Sequence, residues 1–382
     1  MNRMQVRRRL WHVPGLATIV LAGVVAASAS AGGTTASSAR GTDLGAAKRY
    51  LASFLKQATS IGITTPLRAA PPKGKVVYWL QGNIGDITTI TDGYKAATAA
   101  LGWKLTTLTY DTTNPQALNG AMVQAVQKGA NYIAVSGQPV AAYSSALKMA
   151  KAKGIPVFDS FSTNPVGGSS NGVYSNFGGP KNVRLDGLLT GAYSVLYWKG
   201  KANVLFVNMP DFPVLSFLMK ADRSNVKKFC SDCPYDVLNV STAQFTGGKI
   251  PGVVVAYLQS HPNVNTLRFA IGAMTTGVTQ LIKSVGLKQK LIIHGSDPAQ
   301  PNFKALISGT EQAWVGLPRA ASAWYTADAM ARYSLGMSLE PDASGLMPAQ
   351  IFTAATVPRP APNDYVPFPN YEAKFKTLWH VG

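Results

Sequence analysis

The stretch that decides the fold is KVVYWLQGNIGDITTITDGYKAATAALGWKLTTLTY, which spans residues 75–110. Two apolar runs rich in β-forming residues, at 76–81 and 103–110, predict strands. The run at 89–101 between them has helical periodicity and is followed by a glycine, as helix ends often are. The same alternation predicts further helices and strands at 115–128, 132–136, 140–153 and 157–161. Apolar strands joined by helices predict a parallel sheet that is covered on both faces.

A second copy of this pattern follows a stretch rich in Gly, Ser and Asn at residues 167–179. Strands alternate with helices at 204–208, 213–229, 236–240, 251–261, 266–271, 275–285 and 291–293. Helical patterns recur at 302–308 and 320–335, and a Pro-rich tail ends in aromatic residues at helical spacing. Two copies of one α/β pattern predict two lobes of similar construction.

The first 31 residues have the layout of a secretory signal peptide. Basic residues between Arg3 and Arg9 precede an apolar run at 15–27, and Ala29-Ser30-Ala31 is typical of a cleavage site. The apolar run is too short for a transmembrane helix, and the segment has no cysteine for a lipid anchor. We therefore expect cleavage near Ala31, secretion into the periplasm or cell envelope, and a spacer and linker at 32–73. The arginine run also leaves twin-arginine export open.

The sequence is strongly basic and contains two cysteines. Lys and Arg number 36 against 17 Asp and Glu, for a net charge of +19. Beyond the N-terminus the basic residues are not clustered on one element, so we expect no nucleic-acid partner. Cys230 and Cys233 are expected to form a disulfide in an oxidising compartment. A redox-active pair is the alternative, but it requires a helix N-terminus, and this pair follows a helical stretch.

Motifs of catalysis and cofactor binding are absent from the sequence. The four histidines, at positions 12, 261, 294 and 380, are scattered, and no spacing typical of a metal site occurs. There is no G-x-S-x-G nucleophile elbow and no Walker loop, and the Gly-Gly pairs lack the context of a dinucleotide site. We therefore predict that the protein is not an enzyme and has no catalytic residues, metal or cofactor.

Several phrases resemble type I periplasmic sugar-binding proteins of ABC transporters. They are residues 75–81, Gly93-Tyr-Lys-Ala-Ala, residues 129–135, Gly154-Ile-Pro-Val, Gly200-Lys-Ala-Asn-Val, Ser260-His-Pro-Asn-Val and Val285-Gly-Leu. The resemblance covers about residues 74–357, and the Cys-x-x-Cys insertion with the Phe-x-x-Leu-Trp ending looks like an actinobacterial branch.

This resemblance implies two Rossmann-like lobes with parallel sheets, joined by a three-crossover hinge around a ligand cleft. It places the N-terminal lobe at residues 74–175 plus about 317–345, and the C-terminal lobe at 176–316. The tail at 346–382 is expected to cross between the lobes or pack on them.

Ligands of open parallel sheets lie outside the carboxyl ends of the strands, so specificity is expected there. The candidate ligand-binding residues are Gln81, Asn83, Gln138, Ser160, Phe161, Asp211, Phe212, Met274, Asp297 and Arg319. Each has an alternative role. The apolar side chains can belong to the core, the short polar ones can cap turns or helices, and the arginine can form a surface ion pair.

The strand ends differ from those of the sugar-binding relatives. Phe161-Ser162 stands where the family has Asp-Arg, and Gly272-Ala273 stands where it has Asn-Asp. Apolar sites reject polyols because they leave hydroxyl groups unpaired. We expect a monomeric exported protein that captures an apolar or aromatic solute, or a substituted sugar, and delivers it to ABC permease subunits. The alternative is a ligand-sensing receptor that presents its bound state to a membrane kinase or chemoreceptor.

Overall fold

The structure is a computed structural model that describes residues 42–84, 87–339 and 345–382. The predicted signal peptide and the first part of the predicted spacer lie outside these residues. Among the helices that are described, none is both long enough and apolar enough to cross a membrane.

The first lobe is built on a five-stranded sheet in which every pair is parallel. In chain order, the elements up to its last strand are α1 (Leu44–Ala52), β1 (Val76–Gly82), α2 (Thr88–Ala100), β2 (Lys104–Tyr110), α3 (Ala117–Gln127), β3 (Tyr132–Ser136), α4 (Ser144–Ala152), β4 (Val157–Ser160) and β5 (Val173–Phe177). The strand order is β2-β1-β3-β4-β5. Strands β3 and β4 are buried almost throughout because apolar clusters lie on both faces of the sheet.

The second lobe is built on a six-stranded sheet. Its elements are α5 (Pro180–Tyr197), β6 (Val204–Asn208), α6 (Pro213–Phe229), β7 (Tyr235–Asn239), α7 (Thr242–Thr246), α8 (Ile250–Ser260), β8 (Thr266–Phe269), α9 (Val278–Ser284), β9 (Ile292–Ser296), α10 (Gln300–Ser308) and β10 (Ala313–Gly316). The chain then forms α11 (Arg319–Ser334), β11 (Gln350–Phe352) and α12 (Tyr371–Leu378). The strand order is β11-β10-β9-β8-β6-β7, and β11 is antiparallel to β10. These two α/β lobes with mostly parallel sheets confirm the predicted fold class.

Two glycines allow helices α5 and α6 to pack unusually closely in the second lobe. A Cβ atom at Gly187 would lie 2.7 Å from the carbonyl oxygen of Leu218, and one at Gly191 would lie 2.7 Å from that of Asp222. Any side chain at either position would therefore push the helices apart. This close approach fixes the side of α5 that faces the space between the lobes.

Segments at both ends of the described chain contribute to both lobes. In α1, Ala47 and Leu51 are buried in the core of the second lobe, whereas Ile61 and Leu67 belong to a core cluster of the first. Near the C-terminus, β11 joins the second sheet, and the chain then returns so that α12 packs on α11 in the first lobe. The stretch expected to be spacer and linker thus contains a packed helix and buried apolar side chains.

Cys230 and Cys233 form the predicted disulfide, with their Cα atoms 5.4 Å apart. Cys230 is the C-cap residue of α6, and both cysteines are buried. The bond closes the turn between α6 and β7.

Candidate ligand-binding cleft

A cavity lies where the carboxyl ends of strands from both sheets face each other. It contains about 920 Å³ of non-atom space, part of which is open to solvent. Side chains from both lobes line it: Ile84, Ile87, Ile90, Ser136, Gly137, Phe161, Gly178, Val183, Asp186, Met209, Phe212, Val214, Leu215, Leu218, Ala270, Ile271, Ala273, Ser296, Asp297, Leu317 and Arg319. Small-molecule sites have this concave form, in which apolar walls carry a few polar groups.

Two phenylalanines form opposite parts of the apolar wall. Phe161 follows β4 with a φ of 52°, a backbone conformation rare for a bulky residue, and its ring lies against Gly178, where a Cβ atom would be 2.2 Å away. Phe212 precedes α6, and its ring faces Gly137 of the other lobe at 3.4 Å from the position of a Cβ atom. A strained backbone such as that of Phe161 is typical of ligand sites. Both rings are only half-buried.

The polar end of the cavity is a cluster of buried charges from the second lobe and the crossovers. Arg319 begins α11, and its Nε lies 3.4 Å from Asp297 Oδ1 and 3.6 Å from Asp364 Oδ1, while its Nη2 donates to the carbonyl of Pro298. Burial raises the pKa of Asp364 to about 6, although Arg319 acts in the opposite direction. One guanidinium is therefore shared between two carboxylates.

A second arginine supports this end from behind the cavity wall. Arg268 on β8 is fully buried; its Nε donates to Asp222 Oδ2 at 3.0 Å, and its Nη2 donates to Ser296 Oγ at 3.0 Å. Since Ser296 lines the cavity, this pair fixes a hydroxyl at the cavity surface. Arg268 also lies over the ring of Phe206, 4.9 Å from its centroid.

Asp186 is the remaining acid at the cavity, and it stands in the second turn of α5. Its side chain is 2% exposed, and its Oδ1 has no hydrogen-bond partner within the described parts of the chain. Burial raises its pKa well above the usual range; Arg268 opposes this effect and Asp297 adds to it. A buried carboxyl group without a partner is costly, so this residue marks the most unusual point of the cavity.

The cavity wall includes four of the ten residues predicted from sequence. They are Phe161, Phe212, Asp297 and Arg319. Asp297 also has a positive φ of 55°, at the end of β9. The arginine is buried in an ionic cluster, which differs from the surface ion pair considered as its alternative.

Three predicted polar residues make hydrogen bonds within their own lobe, away from the cavity wall. Asn83 Oδ1 accepts from the backbone N–H and the hydroxyl of Thr112, so it joins the loop after β1 to the loop after β2. Asp211 Oδ2 accepts from the backbone N–H of Thr242 at 2.6 Å and so caps the start of α7. Gln81 accepts from a threonine hydroxyl on α2.

The other three predicted residues are held within the lobes. Ser160 is buried and donates to the carbonyl of Val135 at 3.3 Å. Met274 is 1% exposed and belongs to the core of the second lobe, because the chain turns inward after β8. Gln138 lies beside Asn164, which donates to its carbonyl. For these six residues a ligand contact stays a prediction, and their observed partners account for their positions.

Sequence reasoning missed the isoleucines after β1 and the acid on α5. Ile84 and Ile87 follow the carboxyl end of β1, so the strand-end rule alone was enough to find them. Asp186 lies three residues after Val183 and four before Thr190, on a buried face of α5. An acid on the buried stripe of a helix is a signal for such a residue, but it requires that α5 itself be predicted, and its sequence pattern did not predict it.

Among residues 42–84, 87–339 and 345–382, no group of three or more His, Cys, Asp or Glu side chains is arranged to hold a metal ion. The arrangement offers apolar contact and buried charge, which are means of binding.

Residues 75–337 match the periplasmic binding protein domain family, and this match covers more than half of the chain. The chain belongs to this family. Its members are substrate-binding proteins and not enzymes, and the similar solved structures include sugar-binding proteins of ABC transporters. No curated protein matches the sequence.

The similar solved structures share the periplasmic binding protein fold at low sequence identity. A glucose-galactose binding protein from Geobacillus stearothermophilus has a TM-score of 0.64 and 17% identity, over 75% of this chain and 100% of that chain. A carbohydrate transporter protein from Acidothermus cellulolyticus, solved with myo-inositol, has a TM-score of 0.62 and 18% identity, over 81% and 99%. A putative LacI transcriptional regulator from Bacteroides fragilis has a TM-score of 0.62 and 11% identity, over 74% and 98%. At these identities the likeness shows the fold.

Proposed function

We propose that the protein captures a small solute in the cavity between its lobes and delivers it to an ABC importer. Family membership supports solute binding, and the cavity has the position that the fold reserves for ligands. In such a binder the solute contacts both lobes only when they close, so closure depends on contacts that the open form lacks.

The solute is less polar than a simple hexose or pentose. The observation that carries this step is the wall of apolar side chains from both lobes, with Ile84 and Ile87 on one side and Met209, Leu215 and Ile271 on the other. A sugar ring against this wall would lose water from its hydroxyl groups without gaining hydrogen bonds, a cost of about 1–3 kcal/mol for each group. An aromatic or aliphatic body gains about 25 cal/mol for each Å² that it buries.

The same proposal includes export and a monomeric state. It rests on the sequence of the first 31 residues, and on a fold in which one chain supplies both walls of the cavity. The Cys-x-x-Cys insertion and the Phe-x-x-Leu-Trp ending support an actinobacterial branch of the family.

Thermal-shift and calorimetric titrations of the purified protein test the proposal. The probes are glucose, galactose and myo-inositol on one side, and aromatic alcohols, aromatic amines, aromatic acids and steroids on the other. A ligand at about 100 times its dissociation constant adds about 2.7 kcal/mol of stability. We expect binding from the second set; binding of a hexose or of inositol would overturn the proposed substrate class, and binding of no compound would overturn solute capture.

A matched pair of variants places the binding in the cavity. Ala273 lines the cavity and Ala243 is exposed on α7, so Ala273→Trp fills the site, whereas Ala243→Trp adds the same side chain outside it. We expect Ala273→Trp to abolish the titration signal and Ala243→Trp to leave it unchanged. Equal behaviour of the two variants would move the binding site away from the cavity.

A further inference from the structure

The buried side chain of Asp186 indicates which chemical class of solute the cavity binds. Asp186 is 2% exposed and lines the cavity, and its Oδ1 has no hydrogen-bond partner in the described chain. Buried polar groups in native proteins almost always have a partner, so an exception at a ligand cavity calls for a group that is supplied from outside.

Asp186 has no ion-pair partner among the described charges around the cavity. Arg268 is held by Asp222, and Arg319 lies between Asp297 and Asp364. Asp186 is a further acid, so the described residues of this cluster comprise four aspartates and two arginines. When Asp186 is ionised, its negative charge stands beside an apolar wall, where water screens it poorly.

The walls next to this cluster suit an apolar body with a positive group. Phe161 and Phe212 present half-buried rings to the cavity, and aromatic faces attract cations as well as apolar surface. Val183 and Leu218 also line the cavity and flank Asp186 on α5 and α6, so they limit the space for a hydration shell around a bound ion.

We propose that the solute is an organic cation, an ammonium group on an aromatic or aliphatic body, with the ammonium at Asp186 and the body between Phe161 and Phe212. This inference rests on the solute-binding function proposed above. The ammonium supplies both the hydrogen-bond donor that Oδ1 lacks and a positive charge that stabilises the ionised form of Asp186. A neutral alcohol supplies only the donor, and a carboxylate supplies neither the donor nor the positive charge.

Matched probes test the charge of the solute directly. Calorimetric titrations of the wild-type protein use 2-phenylethylamine, 2-phenylethanol and 3-phenylpropionate, followed by tryptamine, tryptophol and indole-3-propionate. Within each series the apolar body is constant and the terminal group changes. We expect the amine to bind at least tenfold more tightly than the alcohol, and the carboxylate to bind least. An alcohol or a carboxylate that binds as tightly as the amine overturns the inference.

A second measurement assigns the effect to one side chain. Asp186→Asn keeps the size and removes the charge, and we expect it to weaken amine binding at least tenfold while changing alcohol binding less than threefold. The control is Asp92→Asn, because Asp92 is an exposed acid paired with Lys95 and lies outside the cavity wall. Amine affinity in Asp186→Asn within twofold of wild type overturns the assignment. If glucose or inositol binds and the amines do not, the protein still captures a solute, but the proposal of a cationic solute is wrong. If none of the probes or sugars binds, both proposals are wrong.

Discussion

Replacing Asp186 by leucine should stabilise the ligand-free protein. The side chain is buried, its Oδ1 has no partner among the described residues, and its neighbours include Val183, Leu215 and Leu218. A buried acceptor without a hydrogen bond costs about 1–3 kcal/mol. Leucine is apolar and does not carry that cost, and the cavity beside position 186 has room for its larger side chain. Asp186→Leu should therefore raise the free energy of unfolding at pH 7 by about 1–3 kcal/mol, measured by urea titration with tryptophan fluorescence.

A second buried acid on the adjacent helix gives the matched control. Asp222 on α6 is fully buried but accepts from Arg268, Tyr235 and Thr190. Asp222→Leu leaves the Arg268 guanidinium without its counter-charge, and breaking a buried ion pair in this way costs about 3–5 kcal/mol. The same Asp→Leu substitution should thus raise the free energy of unfolding at position 186 and lower it at position 222.

The pH dependence of the free energy of unfolding tests the same carboxyl group independently. Because burial raises the pKa of Asp186 well above its usual range, the folded protein keeps a proton that the unfolded chain releases above about pH 4. The contribution of this group to stability therefore falls as the pH rises from about 4 towards the raised pKa, and Asp186→Leu should remove that part of the slope. A destabilised Asp186→Leu protein, or an unchanged slope, would refute the view that this acid lacks a partner in the empty protein.

Three further outcomes are expected. Phe212→Ala should weaken binding of the best solute by about 1–3 kcal/mol in calorimetry, because it removes an aromatic wall, whereas Phe217→Ala in the first turns of α6, outside the wall, should change it less than twofold. Burial raises the pKa of Asp159 to about 7, so the stability it contributes falls between about pH 4 and 7, by up to about 4 kcal/mol; unfolding titrations of Asp159→Asn should lack this part of the slope. Trp379→Phe removes an indole N–H that donates to buried Asp328 at 2.8 Å, and should lower the free energy of unfolding by about 1–3 kcal/mol in urea.

The two-lobe fold was predictable because each predicted strand is an apolar run at a regular distance from a helical pattern. Strand β5 was not predicted, since Val173–Phe177 is short and lies among Gly, Ser and Asn residues that usually mark loops. Helix α5 was not predicted either, because Gly187 and Gly191 weaken its helical pattern. Both glycines are required by the distance to α6, which is a tertiary fact that local sequence does not express.

The candidate site was predictable only where it follows from strand ends. Phe161, Phe212, Asp297 and Arg319 lie at or just after the ends of β4, β6, β9 and β10, and all four line the cavity. The rule also selected Met274, which is buried in the core, because it gives the end of the strand but not the direction of the chain beyond it.

Helix α5 carries residues that its packing requires and one residue, Asp186, that its packing does not require. The close packing of α5 on α6 needs Gly187 and Gly191 and is complete without any particular side chain at position 186. That packing also removes water from Asp186, and Oδ1 gains no hydrogen bond within the described protein to offset the loss. Asp222 on the neighbouring helix is also buried, but its carboxylate accepts hydrogen bonds from three side chains. Local choices that oppose stability without a structural gain are typical of functional positions. The burial of Asp186 without a hydrogen bond is therefore best explained by a group that enters the cavity. That group must supply the hydrogen-bond donor and the positive charge that the described protein does not provide.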